Sequence, residues 1–299
     1  MSERLSFEDQ IARNKFKSVV LIAIIVVFFI VLGYVIALVL DPSYFFVIMI
    51  ISIIFSLSYT LISYYNSDKI ALASVRATPA SPTQHRALFQ AVENMSIASG
   101  LPMPKIYVMN SQEINAFASG RDPKHAIICV TTGAMEKLNK QELEGVISHE
   151  MSHIANYDIR FMTLATVMIG FISIISEMFL RSLWISDRDR DSRTGIFLII
   201  IGVLLAILAP IATRLVSLAL SRRREYLADA TGVKLTRYPS GLANALKKIK
   251  AEHVPNEELR KFNRATAPLF ISDPFKRRIV GLFATHPPIE DRIRRIEEM

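Results

Sequence analysis

Residues 145–160 read GVISHEMSHIANYDIR and run directly into the apolar stretch FMTLATVMIGF at 161–171. The first stretch holds two histidines with a glutamate between them. On a helix, positions i and i+4 share one face about 6 Å apart. His149 and His153 can therefore each aim a ring nitrogen at one ion, while Glu150 projects beside that face, placed to accept a proton. An imidazole pair suits zinc, which binds nitrogen at about 2.0–2.1 Å in tetrahedral geometry. Two ligands do not hold a catalytic metal firmly, so a third protein group is required, with the fourth position left to water. His85 and His253 stand alone in polar helical stretches, and His125 begins a strand-like run. Glu225 differs from these candidates. In SRRREYLADATG, residues 221–232, it has Asp229 at i+4, so a ligand and a carboxylate able to support a liganding histidine share one face.

The surrounding chain is strongly apolar. Over 299 residues, 51% hydrophobic content with a mean hydropathy of +0.33 points to a membrane protein. Four runs are long enough to cross a hydrocarbon core of about 30 Å: Val19–Leu40, Tyr44–Ile62, Phe161–Leu180 and Gly195 to about Thr213. The first is too long for a cleaved signal peptide and lacks a small-x-small site. Only DPS separates it from the second, which gives a tight helical hairpin. Arg4, Arg13, Lys15 and Lys17 precede the first run and put the N-terminus in the cytoplasm. Counting crossings, residues 66–160 and 221–299 are also cytoplasmic, and 181–194 face outward. That outward loop, RSLWISDRDRDSRT, mixes four arginines with three aspartates. The alternative is a third and fourth run that enter the bilayer only partway. The net charge of +8 flanks the apolar runs, where lipid and orientation account for it without nucleic acid. The single cysteine, Cys129, excludes an internal disulfide and reads as a small buried residue.

Between the second and third runs, Pro82–Ser99 reads as an amphipathic helix with Leu88, Phe89, Val92 and Met95 at helical spacing. KIYVMN (105–110) and HAIICVT (125–131) are short strands, and the connection between them, SQEINAFASGRDPK, suits a hairpin or edge strand. Helices follow at Ala134–Asn139, from Gln141 through the histidine motif, along residues 214–232 with Gly232 as C-cap, and over Pro239–Ala251 and Pro288–Glu298. The fold class is therefore a predominantly α membrane protein, with four transmembrane helices and a cytoplasmic α+β zincin-like domain carrying a small sheet. Its parts are 1–65, an anchor hairpin; 66–160, with the motif helix; 161–220, a second hairpin; and 221–299, with the third ligand.

NAFASG (115–120), ICVTTGAMEKL (128–138), ELEGVISHEMSHIANYD (142–158), EYLAD (225–229) and THPPIEDRI (285–293) occur in an order that resembles the HtpX-like integral-membrane zinc metalloproteases, relatives of the CAAX-processing Ste24 proteases in the gluzincin clan. The resemblance implies one zinc per subunit held by His149, His153 and Glu225, with Glu150 as catalytic base and Asp229 as supporting carboxylate. It also implies that Asn115, Ala116 and Phe117 form an active-site edge strand to which extended substrate adds. His286 and Arg292 resemble a cleft-facing pair that stabilises an oxyanion. The plainer reading of those two is a helix start at HPP and a solvent-facing arginine.

The implied activity is endopeptidase cleavage of misfolded or damaged membrane proteins at the cytoplasmic face of the inner membrane, in protein quality control. Polypeptides and lipid are the implied partners, and nucleic acid is not. Two other classes compete. A silent zinc-binding scaffold would have no use for Glu150. An intramembrane protease would not flank its motif with KLNKQELEG and NYDIR, which are too polar for hydrocarbon. Glu225 follows His153 by 72 positions, with the third and fourth apolar runs between them. A membrane hairpin thus joins the two metal-binding stretches and keeps the cleft near the membrane surface.

Overall fold

The computed structural model describes residues 7–39, 42–165, 202, 222–252, 270–271 and 287–299. The third apolar run beyond residue 165, the fourth apart from residue 202, the 181–194 loop and His286 lie outside the described residues.

Two long helices, α1 (Phe7–Val39) and α2 (Phe45–Tyr65), are joined by a single 3-10 turn at Pro42–Tyr44. The spans Asn14–Tyr34 and Phe45–Tyr65 have mean hydropathies of 2.9 and 2.5, yet only 28% and 11% of them is buried inside the protein. A core helix would bury its apolar face. α2 instead buries Ser56, Thr60 and Ser63, with the Ser56 hydroxyl donating to the Val26 carbonyl at 3.4 Å, and turns Phe46, Ile50, Ile54 and Ile62 outward. In water such surface costs about 25 cal/mol per Å², so hydrocarbon is the solvent that fits it.

After α3 (Ser67–Ser74) the chain forms a four-stranded sheet in the order β1-β2-β4-β3. The strands are β1 (Thr78–Pro79), β2 (Lys105–Met109), β3 (Ala116–Gly120) and β4 (Ala126–Thr131). β2 runs parallel to β4, while β3 is antiparallel to it with Ala116 opposite Val130. Of the hairpin or edge strand expected in the connection between KIYVMN and HAIICVT, the edge strand is the one that forms. The connection itself contains β3, buried throughout its length, which pairs with β4 and leaves the two flanking runs parallel. His125 sits in a 3-10 turn at Pro123–His125 and not in the strand. β4 is buried on both faces, which explains its unbroken apolar sequence. Ile128 and Val130 pack with Leu88 and Val92 of α4 (Arg86–Ser99) and Val146 and Ile147 of α6 (Lys140–Ala155). Ile127 and Cys129 join Ala71 and Leu72 of α3. Burial pushes the Cys129 thiol up and leaves it inert.

The starts of α5 and α6 follow their caps, while that of α4 carries no side-chain cap. α4 begins at Arg86 and not at Pro82. α5 (Thr132–Lys137) begins two residues earlier than its apolar pattern indicates, because the Thr131 hydroxyl accepts the Ala134 N–H. At α6, Asn139 Oδ1 accepts the Glu142 N–H at 2.9 Å and the Glu142 carboxylate accepts the Asn139 N–H at 2.8 Å. This reciprocal cap is worth about 1 kcal/mol. The same Glu142 oxygen takes Lys248 Nζ at 2.6 Å, which ties α8 (Pro239–Ala251) to α6. α7 (Arg222–Thr236) runs past Gly232, so the C-cap assignment there is corrected. A Cβ at Gly232 would lie 2.9 Å from Ser148 Oγ and 3.2 Å from the His149 nitrogen. The glycine lets α7 press onto the motif helix. α9 (Ile289–Glu297) completes the described elements and packs against α8 and α7.

Candidate metal centre

His149 and His153 on α6 meet Glu225 on α7, with one candidate ligand atom from each lying within 4.8 Å of the others. The two Nε2 atoms are 3.2 Å apart, with Glu225 Oε2 3.7 Å from His149 Nε2 and its other oxygen, Oε1, 3.6 Å from His153 Nε2. A tetrahedral ion with bonds of about 2.0–2.1 Å has ligand-to-ligand edges of about 3.3 Å. The three groups therefore fit one face of such a tetrahedron.

Each imidazole is turned by its own carboxylate. His149 Nδ1 lies 2.9 Å from Asp229 Oδ1, and His153 Nδ1 lies 3.1 Å from Asp158 Oδ2. These partners fix the N–H of each neutral ring at Nδ1, so both Nε2 lone pairs face one another. Two acceptors sit comfortably at 3.2 Å only around a shared cation, and this donor set therefore fits a divalent metal. Without metal a proton serves. Burial alone would lower His153, but its hydrogen bond to Asp158 and the charges of Glu225, Asp158 and Glu150 raise it to about 9. His149 stays below its ordinary value, held there by burial and then by Arg292.

Arg292 is buried at 2% exposure, which corrects the solvent-facing reading. Its Nε and Nη2 donate to the two Asp229 oxygens at 2.9 and 2.7 Å, a bidentate pair. Nη1 donates to the Ile271 carbonyl at 3.1 Å and lies 3.7 Å from Glu225 Oε2. Burial would raise the Asp229 carboxyl, but Arg292 and the hydrogen bond with His149 together hold the group at about 2. Glu150 is buried too. Burial first, then the Glu225 charge, push it up to about 7, although the Ala118 N–H donates to its carboxylate.

β3 forms one edge of the sheet. The Asn115 carbonyl is engaged by Thr131, whereas the Ala116 carbonyl points away from β4 and accepts the Ile271 N–H at 3.0 Å. Phe117 is buried, its ring edge-on to Phe270 at 5.3 Å. Of the three expected edge-strand residues, Ala116 thus turns its backbone to the free edge.

Asp158 and Arg224 were not legible as site residues. Asp158 stands five positions after His153 in IANYD, and on a straight helix that offset points elsewhere. Tyr157, at a left-handed φ of 58°, turns the chain back so that the carboxylate reaches His153. Arg224 Nη1 then lies 3.6 Å from Asp158 Oδ1.

Residues 82–299 match the profile of peptidase family M48. The chain belongs to that family. It is 49% identical over 251 residues to the protease HtpX homolog of Caldanaerobacter subterraneus subsp. tengcongensis, covering 82% of this chain and 83% of the relative. With the protease HtpX homolog of Dictyoglomus thermophilum it shares 43% identity over 294 residues, 98% and 95% of the two chains. With that of Tropheryma whipplei strain Twist it shares 41% over 290 residues, 97% of each. The crystal structure of Ste24p from S. mikatae has the same fold at a TM-score of 0.51 and 18% identity, covering 96% of this chain and 66% of that one. This M48 member is thus an HtpX-like metalloprotease with membrane helices, its protease part built on a small mixed sheet.

Proposed function

We propose that this M48 member is a zinc-dependent endopeptidase, one metal per subunit, that hydrolyses misfolded or damaged membrane proteins at the cytoplasmic membrane surface. One observation carries the reading. Two imidazoles, each backed by a carboxylate, and Glu225 are set at tetrahedral edge distances beside a buried Glu150. When bound, zinc supplies a Lewis acid that lowers the pKa of water to about 7 and polarises the scissile carbonyl.

Everything else falls to the chain. Glu150, raised to about 7, removes a proton from the attacking water and returns it to the leaving amine, a base matched to neutral pH. Asp229, locked by Arg292, holds His149 in one tautomer, and Asp158 does the same for His153. An extended substrate adds along β3 and takes over the Ala116 carbonyl from the Ile271 N–H. Arg292 Nη1, released from the Ile271 carbonyl by the same exchange, supplies with His286 the positive charge that an oxyanion needs.

In this reading residues 1–65 are the anchor hairpin and 161–220 a second one, giving four crossings. Residues 66–160 and 221–299 are the cytoplasmic protease, with both termini inside, as the basic residues before the first apolar run support. Casein cleavage by the detergent-purified chain is expected to stop on chelation, return with zinc, and be absent in Glu150→Gln. Equal cleavage by wild type and Glu150→Gln refutes the assignment.

A further inference from the structure

The turn that follows the motif helix is gripped by the first membrane helix. Tyr157 holds a φ of 58°, a left-handed conformation that is unfavourable for a bulky residue and persists where neighbours enforce it. α1 supplies those neighbours. The Asn14 amide nitrogen donates to the Asn156 carbonyl at 2.9 Å and to Asp158 Oδ1 at 2.8 Å, and the Lys15 ammonium lies 4.4 Å over the Tyr157 ring. Further along, Leu21, Ile25 and Phe29 pack on Phe161, Leu164 and Ala165.

Asp158 is buried, and both of its oxygens are engaged. Oδ2 meets His153 Nδ1 at 3.1 Å, and Oδ1 accepts from Asn14 with Arg224 close by. The hydrogen bonds of a buried carboxylate decide where it points, because nothing else repays its desolvation. The amide on one oxygen therefore aims the other at His153. We propose that Asn14 is a positioning residue of the metal centre, acting through Asp158, so that seating of the first membrane helix and metal affinity are one coupled quantity. The proposal rests on the reading of His149, His153 and Glu225 as metal ligands.

The test uses the full chain in detergent. Zinc affinity is measured by competition with a chromogenic chelator, and the visible absorption of cobalt(II) bound in place of zinc reports ligand arrangement. Asn14→Ala is expected to weaken zinc binding about tenfold and to alter the cobalt spectrum. Asn14→Asp keeps the side chain's shape but sets a second carboxylate against Asp158, and is expected to weaken it more. Ser18→Ala, one turn on and buried, with its hydroxyl on the Asn14 carbonyl, should leave affinity unchanged. In a double variant Asn14→Ala with Asp158→Asn, affinity should equal that of Asp158→Asn alone. Wild-type zinc affinity in both Asn14 variants, or additive losses in the double variant, overturns the proposal. If His153→Ala binds zinc as tightly as wild type, the metal-ligand reading itself falls, and the proposal with it.

Discussion

α6 and α2 are inverses of one another. α6 has a polar sequence, yet twelve of its sixteen residues are buried, among them Glu142, His149, Glu150 and His153. α2 is strongly apolar and buries three of twenty-one, all of them hydroxyl-bearing. Burial here follows the solvent and the partners, not residue type. The buried charged and imidazole groups of α6 enter the protease core because each meets a counterpart there, and the low dielectric strengthens every such contact. Apolar side chains leave the hairpin because hydrocarbon replaces water around it. The motif helix should therefore be intolerant of small chemical changes, and the hairpin, beyond its contact at Asn14, tolerant of them.

The sharpest break is Glu150→Gln, which keeps shape and removes the proposed base. Peptide cleavage is expected to fall about a thousandfold, with zinc content unchanged by metal analysis. Glu225→Ala comes next. It removes one of three candidate ligands, and bound zinc should drop well below one per chain, with cleavage lost in proportion.

Asp229→Asn should weaken zinc affinity about 10- to 100-fold, read by chelator competition. It also carries a pH signature. The Asp229 carboxyl is held at about 2, below its ordinary 3.8, so its stabilising effect is complete above pH 3.8 and vanishes as pH falls toward 2. Thermal melts of metal-free protein should lose that part of the acid slope in the variant.

Smaller effects come from the two glycine contacts. Gly232→Ala pushes a methyl toward Ser148 and the His149 backbone, and should cost about 1–3 kcal/mol in thermal stability and several-fold in cleavage. Gly33→Ala sets its Cβ 1.9 Å from Ser52 Oγ in the hairpin. Those helices can part sideways in lipid, so cleavage should stay within about twofold of wild type while the hairpin packs less closely. A loss in Gly33→Ala as large as in Gly232→Ala would break the contrast between the two regions.

What the sequence made legible was local. HEMSH places its three groups by helix geometry alone, and Glu225 was found through Asp229 one turn away. The first two apolar runs declare themselves by length. An edge strand within the connection was legible, but the parallel pairing of β2 with β4 was not, because it joins runs some twenty residues apart and no local pattern announces it. Gly232 was misread because a glycine near a helix end serves a cap or a close approach equally well, and only the neighbouring α6 decides between them. Asp158 required a left-handed tyrosine that no periodicity announces.

The distance along the chain between the parts of this centre has a temporal side. His149 and Arg292 are 143 positions apart, and a ribosome adding about 5–20 residues per second needs roughly 7–30 seconds to travel from one to the other. Throughout that interval the growing polypeptide holds its histidine pair without the arginine brace, and before Glu225 emerges without the third ligand as well. The polar cluster around His149 therefore closes late in synthesis, only after the stretch that carries Arg292 has emerged.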